Sequence, residues 1–190
     1  MKNKRYRAVV IGVSAGGLEA LSRLFSSLPG DFPLPILVVQ HLHPSEDGSL
    51  YDLLNPRCAL TVQEARDKET IRPGQIYFAP PDYHLLVERD ETMALSVDGK
   101  VNYSRPSIDV LFESAAHVWS ANLIGILLTG ANHDGAAGLG LIRELGGLTI
   151  AQDPTTAEYS VMPQTAIELA SVERILSLDA IGKFLSTLNP

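Results

Sequence analysis

The chain is 190 residues long, 45% hydrophobic and 19% charged, with a formal net charge of -7. Such usage excludes a disordered or fibrous chain, and the length suits one α/β domain. The acidic balance and the scatter of Lys and Arg beyond Arg7 give no bulk attraction to nucleic acid. No apolar run reaches the ~20 residues of a membrane helix, the nearest being Leu123 to Leu128, so no membrane insertion is expected. Cys58, the single cysteine, can close no internal disulfide, and Met1 to Arg7 lack the apolar stretch of a secretory leader, so a cytoplasmic protein is expected.

In chain order, the run from Ala8 to Val13 is β-branched and apolar on both faces, as a strand covered on both sides would be. After the turn Gly12-Val13-Ser14-Ala15-Gly16-Gly17, the residues Leu18, Leu21, Leu24, Phe25 and Leu28 repeat at helical spacing, and Pro29-Gly30 stops the helix. A second strand from Pro35 to Gln40 ends at His41 and completes a βαβ unit. Between Thr61 and Tyr103 short alternating runs separated by Arg72-Pro73-Gly74, Pro80-Pro81-Asp82, Arg89-Asp90-Glu91 and Asp98-Gly99 read as antiparallel hairpins. Ser107 should cap a helix that carries Val110, Leu111, Ser114, Ala115 and Val118. A buried strand from Asn122 to Leu128 then opens into the polar loop Thr129-Gly130-Ala131-Asn132-His133-Asp134-Gly135. A helix from Ala136 to Leu145, a strand from Leu148 to Ala151 and an amphipathic helix near Asp179 to Leu188 close the pattern. With neither an internal repeat nor a long linker, residues 1–190 read as one domain.

Three strands end in the groups a Ser-His-Asp hydrolase needs: Ser14 after the first, His41 after the second, and Asp134 after the strand that ends at Leu128. In open α/β sheets ligands gather beyond the carboxyl ends of the strands, where residues distant in sequence converge. Their order is immaterial, because a triad is defined by geometry and role. A serine hydroxyl is a weak nucleophile at neutral pH and needs a base, which His41 would supply. Asp134 on the far ring nitrogen would fix the tautomer and stabilise the imidazolium. The glycines beside Ser14 permit a sharp turn, and the amides of Ala15 or Gly16, or one from the loop at Ala131, are candidates for an oxyanion hole.

Other readings stand beside this one. The turn at Ser14 also resembles a degraded G-x-G-x-x-G dinucleotide loop. Against it, the second strand ends in Gln40-His41 rather than in the acid that would hold a ribose, and no Gly-Lys-Ser or Gly-Lys-Thr of a Walker A loop occurs. His41-Leu42-His43 with His84, His133 or Asp134 could bind zinc, but no H-E-x-x-H or paired-cysteine spacing supports it, and neither a metal nor a cofactor is expected. His84 reads as a strand or turn residue whose ring bonds to backbone, and Asp109 as a first-turn carboxylate that complements the helix dipole. Asp134 could be a plain N-cap for the helix near Ala136, and Cys58 has no assigned role.

Taken together, Ile11-Gly12-Val13-Ser14-Ala15-Gly16-Gly17, Val39-Gln40-His41, Ile76-Tyr77-Phe78-Ala79-Pro80, Arg105-Pro106-Ser107-Ile108-Asp109-Val110-Leu111-Phe112, Leu127-Leu128-Thr129-Gly130 with Asp134-Gly135-Ala136-Ala137-Gly138, and Thr149-Ile150-Ala151-Gln152 are specific. They resemble, over almost the whole chain, the catalytic domain of the chemotaxis protein-glutamate methylesterase (CheB) family. The resemblance implies an α/β fold with a doubly wound, mostly parallel sheet, here carrying an antiparallel hairpin insertion. It also implies hydrolysis of glutamate methyl esters on the cytoplasmic helices of chemoreceptors, releasing methanol, with deamidation of receptor glutamines as a second activity. Ser14, His41 and Asp134 align with that family's triad. Departures from the family pattern are Ala15 in place of Thr, Ala131-Asn132-His133 in place of Met-Gly-Asn, and acidic Pro44-Ser45-Glu46-Asp47-Gly48-Ser49 where many members carry an Arg. The family commonly carries a receiver domain before this one, whereas here the first strand starts a few residues after Met1, so phosphorylation control is not expected within this chain, and two readings stay open: an excised domain, or a stand-alone protein regulated by a separate partner. The competing class is a non-catalytic module of the same fold that docks on receptors or signalling proteins.

Overall fold

The computed structural model describes residues 5–41 and 49–188. In chain order they form β1 (Ala8–Val13), α1 (Gly17–Ser26), β2 (Ile36–Gln40), α2 (Ser49–Leu54), β3 (Thr61–Glu64), β4 (Gln75–Phe78), β5 (His84–Val87), β6 (Met93–Ser96), α3 (Ile108–Trp119), β7 (Leu123–Leu127), α4 (Ala136–Glu144), β8 (Leu148–Gln152), α5 (Val161–Leu169), β9 (Arg174–Leu176) and α6 (Leu178–Ser186). Seven strands make one sheet in the order β3-β4-β2-β1-β7-β8-β9, every pair parallel. The remaining two, β5 and β6, form a separate antiparallel hairpin. The chain leaves β1 toward β2 on one side and returns to β7 on the other. The crevice beyond β1 and β7 is therefore the switch point of a doubly wound sheet.

Every residue of β1, β2, β7 and β8 is buried, which explains their unbroken apolar runs. Alternate residues of β1 serve two cores. Val9, Ile11 and Val13 pack with Leu21, Leu24 and Phe25 of α1 and with Ile181 and Leu185 of α6. Ala8 and Val10 face the other way, toward Leu111 and Phe112 of α3 and Leu139 and Ile142 of α4. Each fully buried Leu, Ile or Phe contributes about 1.5–3 kcal/mol, so the two layers fix the central strands firmly and hold their carboxyl ends in register.

The expectation of hairpins throughout Thr61 to Tyr103 is met only by β5 and β6. β3 and β4 instead pair in parallel and extend the main sheet through β2. At the edge of a sheet a parallel strand shows one face to solvent, and β3 alternates accordingly, with Val62 buried between exposed Thr61 and half-buried Gln63. Three elements have no counterpart in the sequence reading: α2, α5 and β9. α5 buries only Met162, Pro163 and Ala166, and its proline sits in the first turn, where a missing N–H costs little. β9 is three residues long and mostly exposed. No described helix is long and apolar enough to cross a membrane.

Candidate active site

β1 hands over to α1 in a tight turn centred on Ser14. Gly16 takes φ +75°, a left-handed conformation that costs a glycine little, and the Gly17 amide closes the turn on the Ser14 carbonyl at 2.9 Å. A side chain at Gly17 would collide with the Gln40 carboxamide, which comes from the end of β2 and donates to the Ser14 carbonyl at 2.9 Å. On the other flank the Ser14 amide bonds to the Thr129 carbonyl at 3.0 Å, and the Thr129 hydroxyl donates to the Ala15 carbonyl at 2.9 Å. The serine is thus held between the ends of β2 and β7.

His41 is aligned by its amide, which continues the sheet ladder to the Val13 carbonyl at 3.1 Å. Its Nδ1 lies 3.1 Å from Ser14 Oγ and its Nε2 lies 2.9 Å from Asp134 Oδ2. Asp134 is fully buried. Its Oδ2 also accepts from the Ile108 amide at 2.6 Å, while Oδ1 accepts from the Ser107 hydroxyl at 2.9 Å, Asn102 Nδ2 at 2.8 Å and the Asp109 amide at 3.2 Å. Burial pushes this carboxyl up, but the bonds from His41, Asn102 and Ile108 outweigh burial and hold it below its ordinary range. An ionised Asp134 takes the Nε2–H of His41 and leaves Nδ1 as an acceptor for the Ser14 hydroxyl.

This arrangement bears on the N-cap reading of Asp134. It does not cap α4, whose N-cap is Gly135 with no side-chain cap. It sits instead at the start of α3, where free amides and the helix dipole favour an anion. Ser107, expected to cap α3 with its hydroxyl, makes no such bond and donates its hydroxyl hydrogen bond to Asp134. The carboxylate has taken over the capping role.

A cleft of about 470 Å³ opens beside Ser14 and His41, with Ala15, Gly16 and Leu18 among its lining residues and Glu19 and Glu158 contributing acid. Among the described residues none accepts a hydrogen bond from the Ala15 or Gly16 amide. Ala131 is exposed and does not line this cleft. Asn132, missed by the sequence reading, brings Nδ2 to 3.0 Å from His41 Nδ1. Asn102 was also missed: its Nδ2 bridges Asp109 Oδ2 at 2.7 Å and Asp134 Oδ1 at 2.8 Å. A lone Asn in a loop carries little signal, although Asn132, two residues before Asp134, matches an Asx turn, and its Oδ1 does accept from the Asp134 amide at 3.0 Å.

The remaining candidates fall elsewhere. His84 lies in β5, its Nε2 on the Gly99 carbonyl at 3.0 Å and its Nδ1 accepting from the Ser107 amide at 3.1 Å, so its ring is satisfied by backbone as the sequence suggested. His133 points to Thr165 of α5. Asp109 accepts from the Gly138 amide at 2.7 Å and tethers α4 to α3; burial, opposed by that amide and reinforced by Asp134, raises its carboxyl above the ordinary range. Cys58 is half-buried, and burial pushes its thiol up. His43 and the segment 44–48 lie outside the described residues, among which no group of three or more His, Cys, Asp or Glu could hold a metal ion. At the end of β2, where a dinucleotide site would place its acid, stands the Gln40 carboxamide bound to the Ser14 and His41 carbonyls.

Residues 9–185 match the CheB methylesterase family. The chain belongs to that family. A relative from Leptospira interrogans is 50% identical over 184 residues, covering 97% of this chain and 95% of the relative. The protein-glutamate methylesterase/protein-glutamine glutaminase of Symbiobacterium thermophilum is 41% identical over 93% of this chain and 49% of its own length, so the chain spans about half of that protein. Among solved structures, the catalytic domain of the Thermotoga maritima CheB methylesterase superposes with a TM-score of 0.92 at 35% identity, covering 97% of this chain and 99% of that one. These relatives bear the names of enzymes, which disfavours the non-catalytic alternative.

Proposed function

We infer that this chain is a serine hydrolase of the chemotaxis methylesterase type, which hydrolyses glutamate methyl esters on the cytoplasmic helices of chemoreceptors to glutamate and methanol and deamidates receptor glutamines. The observation that carries the reading is the unbroken hydrogen-bonded chain from Ser14 through His41 to Asp134. In the first half-reaction Ser14 Oγ attacks the ester carbonyl while its proton passes to His41 Nδ1. The C–OCH₃ bond then breaks, and the methoxy oxygen leaves as methanol with the proton from Nδ1. In the second half-reaction water gives its proton to the same nitrogen, attacks the acyl carbon and releases glutamate, and Ser14 recovers its proton. Glutamine follows the same course with ammonia as the leaving group. Asp134 stays ionised throughout and stabilises the imidazolium.

Ala15 and Gly16 sit where a strand gives way to α1, so their free amides and the positive end of the helix suit a developing oxyanion. Leu18 and the buried Leu50 give the cleft an apolar wall for an uncharged methyl ester or carboxamide. The carboxylates of Glu19 and Glu158 on its lining oppose retention of the glutamate product. The chain acts as one catalytic domain in the cytoplasm, with no nucleic acid and no cofactor taking part. The test is product analysis with a methyl-esterified chemoreceptor fragment and with its glutamine form. Methanol and ammonia respectively, each with a new receptor glutamate, support the reading; cleavage of neither substrate refutes it.

A further inference from the structure

Two donors converge on one acceptor at His41. Ser14 Oγ lies 3.1 Å and Asn132 Nδ2 lies 3.0 Å from the same Nδ1. The orientation of the Asn132 amide is not arbitrary. Its Oδ1 accepts from the Asp134 amide at 3.0 Å, and only an oxygen can face that N–H, so the other end of the carboxamide is the nitrogen. With Nε2–H committed to Asp134, Nδ1 holds a single in-plane lone pair that Ser14 and Asn132 must share.

We propose that Asn132 is a positioning residue that restrains the nucleophile: its amide holds His41 Nδ1 in the resting site and must give it up before Ser14 can transfer its proton. The inference rests on the Ser14–His41–Asp134 reading above. Its logic is electrostatic. The shared lone pair weakens the bond that draws the proton from Ser14. Once Nδ1 carries that proton, the Asn132 N–H faces another N–H, so the amide favours neutral His41 over the imidazolium that forms during attack. Asn132 stands on the half-buried loop between β7 and α4, with exposed Ala131 and His133 on either side, so it can swing away without disturbing the core.

The test compares wild-type protein with Asn132→Ala and Asn132→Gly, reading the rate at which a serine-directed phosphonate labels Ser14 and, separately, kcat and KM for a methyl ester. Losing one neutral hydrogen bond that opposes proton transfer should speed labelling about three- to tenfold in both variants. The gain should appear in kcat with KM little changed, whereas a merely structural residue would give slower labelling. Equal or slower labelling in folded variants overturns the proposal. Absence of Ser14 labelling in the wild type overturns the triad reading instead, so the two failures are distinguishable. Should neither variant fold, ¹⁵N-labelled wild-type protein decides. A scalar coupling across the hydrogen bond between Asn132 Nδ2 and His41 Nδ1 supports the proposal, and its absence refutes it.

Discussion

Asp134 Oδ2 accepts a 2.6 Å hydrogen bond from the Ile108 amide, so the carboxylate that orients the imidazole is also the cap of α3. The contact with His41 and the helix cap share one oxygen. The proposed acid of the triad is positioned by a helix start that the sheet holds in place through Ile108, which is itself fully buried.

Asp134→Asn should therefore fail twice. A carboxamide cannot serve as an acceptor at both of its ends, so either His41 and Ile108, or Ser107, Asn102 and Asp109, meet an NH₂ group. With the wrong tautomer favoured at His41, kcat should fall on the order of 10³–10⁴-fold. A donor left unmatched in the buried site should cost about 1–3 kcal/mol. The wild-type carboxyl is held below its ordinary range, so its stabilising contribution is complete above the unfolded value of about 4 and is lost as pH falls through the folded one. The stability gap between the two proteins, followed by denaturant titration, should accordingly be full at pH 7 and close at strongly acidic pH. A gap that widens on acidification would contradict the assignment.

Asn102→Ala removes the donor that bridges Asp109 and Asp134. Two buried carboxylates then face each other without it, and a loss of about 1–3 kcal/mol is expected at neutral pH. The Asp109 carboxyl already lies above its ordinary range in the folded protein, so the folded state gains by taking a proton there as pH falls. The penalty in the variant should shrink as pH falls, and begin to do so above the ordinary carboxylate value of about 4. Thermal midpoints of both proteins measured from pH 7 to pH 4 would show the convergence.

Gly17→Ala tests the turn. The new methyl group would strike the Gln40 carboxamide, whose Nε2 bonds to the Ser14 and His41 carbonyls. Displacing it should cost about 1–3 kcal/mol through overpacking. Because the displaced group ties the two reacting residues together, kcat should drop more than KM rises. An alanine variant with wild-type kcat would show that Gln40 does not hold the turn.

Glu158 lies over the turn at Gly16, close enough that a Cβ there would touch its carboxylate, and it lines the cleft with Glu19. Replacing both with Gln should strengthen inhibition by the demethylated receptor product several-fold and leave KM for the neutral ester nearly unchanged. Product-inhibition constants at low and high salt would check this, since attraction or repulsion between exposed charges fades within about 8–10 Å at physiological ionic strength.

Much of the site is legible in the sequence because it is built from strand ends. The run Ala8 to Val13 announces a doubly covered strand, and the change to glycines after it places Ser14 at a carboxyl end; Gln40-His41 and the loop after Leu128 do the same. What the sequence hides is the direction of pairing and the source of long-range hydrogen bonds. Thr61 to Glu64 alternates as a hairpin strand would, yet the same alternation arises in a parallel strand at an edge. Ser107 has the residue type and position of a cap, but a buried carboxylate from 27 residues on competes for the same amides and wins. Asn132 shows locally only its Asx turn with Asp134, while its contact with His41, 91 residues back, and the Asn102 bridge to Asp109 and Asp134, 7 and 32 residues on, are encoded by no local pattern.

Ser14, as the proposed nucleophile, is tested by the rate of methanol release from methyl-esterified chemoreceptor by wild-type protein and by Ser14→Ala, with circular dichroism to confirm that both are folded. Release by the wild type and a fall on the order of 10³-fold or more in the variant are expected. A folded Ser14→Ala protein that released methanol at the wild-type rate would contradict that role.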